Sequence, residues 1–251
     1  MPFDPPFADR RALVTGGASG IGLATAQMLR SQGATVAVID AAPAGPDGFL
    51  FAQADITNDD LVASAVTGLI AQLGGLDVLI NNAGAGARGG VEDNPLDEWR
   101  RVLDVNVLGL VRVTRAALPA LRASGSGAIV NTCSVAATVG LPQRALYSAS
   151  KGAVLSLTLA MAADLMYDGV RVNAVNPGTV DTPWVRRLLS AAGDPVEELA
   201  LLEARQPSGR LVSADEIAAA ICYLAGPAAG STTGTSLAVD GGLEGVRLPA
   251  R

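Results

Sequence analysis

A tyrosine and a lysine stand four positions apart in the stretch YSASK, residues 147–151, of a chain that contains no histidine. On a helix, residues i and i+4 share a face, so the phenol of Tyr147 and the ammonium of Lys151 come within reach of each other. A free phenol titrates near ~10, too high for an efficient base at neutral pH. A neighbouring ammonium favours the phenolate, which makes the pair an acid–base device that works without imidazole. Taken alone, the spacing also describes an ordinary surface pair. The surrounding sequence has to separate the two readings.

A second chemical stretch, TGGASGIG (15–22), lies where the apolar run ALVTG (12–16) gives way to a helical pattern. Gly16, Gly20 and Gly22 let the backbone turn tightly and approach a pyrophosphate resting on the helix N-terminus beside Ser19 and Ile21. The spacing is TGxxxGxG rather than GxGxxG, and a turn with a packing role alone has the same composition. Asp40 closes the next strand. Its carboxylate suits both hydroxyls of an adenosine ribose and repels a 2′-phosphate. Ala18, Ala41 and Ala42 supply no compensating cation, which points to NAD rather than NADP. Asp55, followed by Ile56, is placed to accept an adenine amino group, and NNAG (81–84) sets Asn82, Ala83 and Gly84 against a cofactor. Each of these alone also reads as a turn.

Positioning these residues takes a scaffold, and the rest of the chain spells one. Strands are read at 12–16, 35–40, 49–53, 77–81, 128–132, 171–176 and 236–240, several of them apolar on both faces. Helical patterns fill 20–32, 58–73, 96–123, 147–167 and 213–225, with Ser213 and Glu216 as a capping box for the last. This alternation implies an α/β chain: one Rossmann-fold domain over residues 1–251, with a doubly wound, seven-stranded parallel sheet. Residues 182–209, punctuated by Pro183, Pro195 and Pro207, interrupt the pattern and read as a short substrate lid. The segment AAPAGPDG (41–48) is too short and proline-rich for a full crossover helix.

Composition excludes several function classes. The net charge of −6 and the absence of a Lys/Arg run argue against nucleic acid or an anionic membrane as partner. Cys133 and Cys222 form no CxxC motif, and without histidine no metal site is expected. The opening MPFDPPFADRR carries prolines and aspartates where a signal peptide needs an apolar core, and no apolar run approaches ~18 residues. A soluble, cytoplasmic protein is expected.

The stretch 15–22, Asp55, residues 81–84, Asn106, Ser134, Tyr147, Lys151 and NPG (176–178) follow the order of motifs in the short-chain dehydrogenase/reductase family, which the chain resembles over roughly residues 9–242. The joint spacing is the specific part, with Ser134 thirteen residues before Tyr147 and Lys151 four after it. The resemblance implies NAD-dependent hydride transfer between a secondary alcohol and a ketone. It implies Tyr147 as the proton carrier, Lys151 also bonding the nicotinamide ribose, and Ser134 holding the substrate oxygen. Asn106, inside LDVNVLG, would anchor a water that relays protons to Lys151. Pro177, Gly178, Val180 and Thr182 would lie along the cofactor. It also implies a homotetramer, and the small residues Ser148, Gly152, Ser156 and Ala160 would permit close packing between subunits.

The substrate is legible mainly through charge. PGTVDTPWVRRLL (177–189), RQPSGR (205–210) and the Arg144-to-Tyr147 spacing resemble a narrower branch, with cytosolic 3-hydroxybutyrate dehydrogenases and dehydrogenases of 2-keto-3-deoxy sugar acids such as 2-keto-3-deoxy-L-fuconate. Arg144 and Arg186, with Arg187 and Arg205 nearby, are candidate ligands for a carboxylate, which guanidinium grips through two parallel hydrogen bonds. Such arginines also pair with acids like Glu197, Glu198 and Glu203. Trp184 either walls the pocket or packs the lid down, Trp99 reads as helix packing, and Cys133 as a small strand-end residue. Two alternatives stay open: the same chemistry on a neutral aldose, cyclic alcohol or steroid, and a dinucleotide sensor without turnover. Intact Ser134, Tyr147 and Lys151 count against the sensor.

Overall fold

A computed structural model describes residues 5–190 and 193–249. The chain ends of the 1–251 domain, and Ala191 and Ala192 within the lid, lie outside the described residues. The elements run β1 (Arg11–Thr15), α1 (Gly20–Ser31), β2 (Thr35–Asp40), β3 (Leu50–Gln53), α2 (Asp59–Leu73) and β4 (Val78–Asn81). They continue with α3 (Leu96–Leu103), a π-helical segment (Asp104–Gly109), α4 (Leu110–Ala123), β5 (Ala128–Thr132), α5 (Ala145–Asp164) and β6 (Arg171–Pro177). The last stretch holds β7 (Val180–Asp181), α6 (Pro183–Ser190), α7 (Pro195–Ala204), β8 (Val212–Ser213), α8 (Ala214–Ala225) and β9 (Ser236–Val239).

Seven strands form one parallel sheet in the order β3-β2-β1-β4-β5-β6-β9. This is the doubly wound sheet that the sequence implies, each strand lying within one residue of its expected bounds. Alternate residues face opposite layers, so Val14, Val38, Ile80 and Val130 pack with Leu29 of α1 and Ile217 and Ile221 of α8. Leu13, Ile39, Leu79 and Ile129 pack instead with Leu69 of α2 and Val113 and Leu121 of α4. Each such fully buried side chain contributes about 1.5–3 kcal/mol. Strand order reverses direction between β1 and β4. A crevice at such a switch point, beyond the strand carboxyl ends, is where doubly wound sheets take ligands.

One expectation needs correction. The helix read over 96–123 is broken by the π-helical turns of Asp104–Gly109, which press against Ile56: a Cβ at Gly109 would stand 2.6 Å from its Cδ1. These wider turns coincide with Asn106, whose side chain points inward to bond Ala85. Helix α5, expected near 147–167, runs from Ala145, where an isolated β-bridge between Gly89 and Arg144 delivers the chain into its first turn, to Asp164, and a 3-10 turn continues over Met166–Asp168. The capping box of α8 is present: Ser213 Oγ accepts from the Glu216 N–H at 3.1 Å, and Glu216 Oε2 accepts from the Ser213 N–H at 2.8 Å. No helix forms between β2 and β3. The small pair β7–β8 anchors the base of the lid, an element without sequence signal at two residues per strand.

Helix α5 is long and apolar enough to cross a membrane by length and composition. Here it packs along β6 as a layer of the fold, burying Leu146, Lys151, Val154 and Ala162. At the opposite end of the sheet, Arg11 clasps both carboxylate oxygens of buried Asp77 at 2.8 and 2.9 Å. Burial alone would raise the Asp77 pKa. Hydrogen bonds from the Arg11 side chain, Ser124 and the Arg11 N–H outweigh it and hold the group at about 2.

Candidate active site

The loop from β1 to α1 is shaped by Gly16 and Gly20, whose φ values of +65° and +54° suit glycine. At Gly22 the constraint is contact, since a Cβ would fall 2.1 Å from the Gly16 carbonyl oxygen. The loop is stitched to the end of β4. Thr15 Oγ1 accepts from the N–H groups of Asn82 and Ala83 at 3.0 and 3.1 Å. Asn82 Nδ2 donates to the Thr15 and Gly16 carbonyls at 3.1 and 3.2 Å. Asp40 is pinned by two backbone donors, the N–H of Ala18 at 2.9 Å and of Ala42 at 3.0 Å, one to each oxygen. Each oxygen keeps a lone pair for a further donor. Asp55 commits Oδ1 to the backbone and hydroxyl of Thr57 at 2.9 and 2.8 Å in an exposed turn. The side chain of Ile56 is buried in the cluster with Val62, Val66 and Leu69 of α2.

A cavity of about 550 Å³ opens at this edge of the sheet. Ser19, Ile21, Asn82 and Gly84 line one side, and Pro177, Gly178, Val180 and Thr182 close it from the β6–β7 turn. Ser134, Tyr147 and Lys151 line the far part, together with Arg144 and Trp184. Lys151 is buried, donates Nζ to the Thr132 carbonyl at 2.8 Å, and holds Nζ 5.9 Å from the centre of the Tyr147 ring. Ser134 Oγ accepts from the Ala136 N–H at 3.1 Å, which leaves its own hydrogen to donate. Trp99 packs beside Val102, Leu146 and Tyr147, as its helix-packing reading requires.

Asn106 lies one layer behind the cavity wall. Its Oδ1 accepts from the Ala85 N–H at 2.7 Å, and its Nδ2 donates to the Ala85 carbonyl and to Ser150 Oγ, each at 2.9 Å. Ser150 Oγ in turn donates to the Tyr147 carbonyl at 2.8 Å. The amide thus ties the loop after β4 to the first turns of α5. Cys133 donates Sγ to the Lys151 carbonyl at 3.1 Å, and burial pushes its thiol pKa up.

Arg144 is held with unusual care. Gln143 before it adopts φ +58°, the Gly89 N–H donates to the Gln143 carbonyl at 3.0 Å, and the Ala145 N–H donates to Gly89 at 3.2 Å. A left-handed φ at a residue other than glycine persists only where its surroundings over-determine it. One arm of the guanidinium, Nη1, donates to the Ala87 carbonyl at 3.2 Å. Among the described residues no carboxylate pairs with Arg144. Burial, then repulsion from Arg205 and Arg88, lowers its pKa below the ordinary arginine value.

Of the two lid arginines offered for a carboxylate, Arg187 lines the cavity and Arg186 does not. Arg186 donates Nε and Nη2 to the two oxygens of Asp181 at 2.8 and 2.9 Å, and it is exposed outside the cavity. On α6, Trp184, Arg187 and Leu188 share the cavity face, whereas Arg186 lies on another side. Arg187, Arg205 and Arg101 are the further arginines that line the space. Sequence reasoning missed Arg101, the lid anchor Gln206 and the loop residues Gly86 and Arg88. Gln206 had a signal, an uncharged amide between lid cations: it is buried, accepts from the Thr179 N–H at 3.1 Å and donates to the Arg210 carbonyl at 2.5 Å. A second cavity, about 350 Å³, lies at the opposite edge around Arg10 and Arg171, where Arg171 caps carbonyls at the end of α8. It holds none of the motif residues. Among the described residues no group of three Cys, Asp or Glu is placed to hold a metal.

A glycine-rich loop at the switch point of a doubly wound sheet, with serine, tyrosine and lysine in one crevice beside it, defines a nicotinamide-type oxidoreductase of the Rossmann class. The comparisons agree. The family model described as enoyl-(acyl carrier protein) reductase matches residues 16–244. The chain is 41% identical to cis-4-hydroxycyclohexanecarboxylate dehydrogenase of Sinomonas cyclohexanicum, over 96% of this chain and 98% of that one. It is 37% identical to 2-keto-3-deoxy-L-fuconate dehydrogenase of Xanthomonas campestris, over 93% and 79%. The aldohexose dehydrogenase of Thermoplasma acidophilum superposes with a TM-score of 0.91 at 32% identity, covering 99% of this chain and all of that one. The chain belongs to the short-chain dehydrogenase/reductase family, and is an oxidoreductase acting on a small molecule with a nicotinamide cofactor.

Proposed function

We propose that the chain is an NAD-dependent dehydrogenase of a secondary alcohol that also bears a carboxylate, a hydroxy acid or sugar acid. Asp40, oriented by two backbone donors and with no cation beside it, favours the ribose diol of NAD over a 2′-phosphate. The loop 15–22 and the small residues 82–84 leave backbone room for the dinucleotide. Bound nicotinamide would supply the hydride acceptor. Tyr147 takes the substrate hydroxyl proton at its phenol oxygen, and Ser134 donates its free hydrogen to the substrate oxygen. Lys151, with one donor spent on Thr132, keeps two for ribose hydroxyls and sets a positive charge beside the ring. Asn106 holds the frame that aims Tyr147.

Arg144 is the observation that carries the substrate class. A half-buried cation, fixed by a strained backbone and lacking a carboxylate partner among the described residues, is costly unless an anion completes it. Arg187 and Arg205 add positive field at the same cavity. Two relatives named above act on substrates that join a carboxylate to a carbinol or ketone. A panel of cyclic and linear hydroxy acids and their methyl esters, assayed with NAD and NADP, tests this reading. Acids should turn over with NAD, and no oxidation of any acid would overturn it.

A second reading has its own support. The aldohexose relative and the apolar wall of Leu141, Leu202 and Leu243 suit a neutral alcohol. Under that reading the esters match the acids.

The protein is also proposed to be a cytoplasmic homotetramer. The outward side of α5 presents Ser156, Leu159 and Ala160 to solvent, nothing lies within 4 Å of a Cβ built at Gly152, and Leu108 is half exposed nearby. Light scattering of the unmodified protein and of Gly152→Arg tests this, with a loss of subunits expected in the variant.

A further inference from the structure

Two segments face each other across the cavity, the loop after β4 and the lid helices α6 and α7. Two contacts span the gap. Trp184 of α6 lies against Gly86, where a Cβ would stand 2.5 Å from Cζ2 and 3.1 Å from Cη2 of the indole. Gly86 is not in the left-handed region, so its backbone does not demand glycine. The indole does. Two residues on, Arg88 Nη1 approaches Glu198 Oε1 of α7 at 3.5 Å, with the arginine 64% and the glutamate 23% exposed. The far end of the lid is fastened differently, by buried Gln206.

We propose that these contacts form a two-point latch over the substrate: Gly86 is the seat that fixes where Trp184 closes, and the Arg88–Glu198 pair sets how readily the lid opens. The inference rests on reading residues 182–209 as a substrate lid. Gly86 is a positioning residue, acting through Trp184 on the space above Tyr147 and Ser134. A lid that stops short of its seat admits water and holds the alcohol off line. The ion pair is weak because it is exposed, which suits a contact that breaks at every turnover.

Trp184 is its own probe, because Trp99 is the other tryptophan of two and can be changed to phenylalanine. In Trp99→Phe protein, NAD plus cyclohexanecarboxylate, an acid without the reacting hydroxyl, should shield Trp184 from acrylamide quenching. In Gly86→Ala on that background the shielding should be lost. Its kcat/KM should fall about ten- to a hundredfold, the cost of misplacement by about 1 Å, with KM for NAD unchanged. Adding Trp184→Phe to Gly86→Ala should recover part of the loss, because the smaller ring clears the methyl group. Arg88→Glu and Glu198→Arg should each change kcat/KM about two- to fivefold, and the double swap should restore it at low salt. Unchanged shielding and turnover in Gly86→Ala, or a charge swap no better than its single variants, would overturn the latch. Tyr147→Phe should keep the shielding response while losing turnover, so failure of the latch and failure of the proposed reaction are read separately.

Discussion

The cofactor loop and the lid are polar segments at the same edge of one sheet, yet they are held in opposite ways. Around the loop, Thr15, Asn82 and Asp40 trade partly buried hydrogen bonds between side chain and backbone. The lid hangs on exposed ion pairs, Arg186–Asp181 and Arg88–Glu198, with Gln206 as its buried anchor. Bonds of the first kind are lost only when the sheet edge itself opens, whereas the second kind break locally at little cost. Under the proposed function, the dinucleotide end, the proton carriers and Arg144 are thus part of the frame. The lid, which lines the same cavity through Trp184, Arg187 and Leu188, is the segment that can change without unsettling it.

The largest expected effect breaks the frame side of this comparison. Tyr147→Phe keeps the ring that packs beside Trp99 and removes the transferable hydrogen. Turnover should fall by at least ~10²-fold, the lower end for general acid–base catalysis, while NAD affinity measured by calorimetry stays close to normal. Near-normal turnover would remove Tyr147 from the mechanism.

A smaller effect sharpens the frame side at the dinucleotide end. kcat/KM with NAD should exceed that with NADP by at least about tenfold, equivalent to ~1.4 kcal/mol. Asp40→Ala combined with Ala41→Arg should narrow or reverse the ratio without altering the preference among alcohols. Equal use of both cofactors by the unmodified protein would contradict the role given to Asp40.

A further effect concerns stability alone and leaves the chemistry untouched. Asp77 is held at about 2, below the ordinary 3.8, so its ion pair contributes fully above pH 3.8 and is lost as pH falls towards 2. Asp77→Asn should cost about 1.5–3 kcal/mol at neutral pH and flatten the acid limb of stability between those values. Urea midpoints against pH measure both. Cofactor preference should not move, since Asp77 braces the edge of the sheet opposite the crevice.

The same division governs how much could be read from sequence. The strands were legible because each is a short apolar run, and those in the middle of the parallel sheet are buried on both faces. Tyr147, Lys151 and Ser134 were legible because their spacing is local to one strand and one helix, which the fold brings to one cavity. Which of Arg186 and Arg187 meets the cavity was not legible, because neighbouring arginines on a short helix differ only in which face turns inward, and packing decides that. Gly86 was invisible for a different reason: its partner Trp184 lies almost a hundred positions away, and nothing in a glycine announces what touches it. The π-helical turn at Asn106 was hidden because its apolar pattern continues that of the flanking helices.

Under the proposed function Arg144 binds the substrate's carboxylate, and a paired kinetic comparison of acid and ester decides it. kcat/KM for a cyclic hydroxy acid and for its methyl ester is determined side by side, in the unmodified protein and in Arg144→Ala. A charge-assisted hydrogen bond contributes ~1.5–3 kcal/mol, so the acid should lose roughly ten- to a hundredfold in the variant. The ester should change little, KM for NAD should hold, and Arg144→Lys should recover only part of the loss because an ammonium cannot make two parallel bonds. If the ester turns over as well as the acid in the unmodified protein, and the variant affects both alike, Arg144 is a structural arginine and the neutral-alcohol reading takes its place.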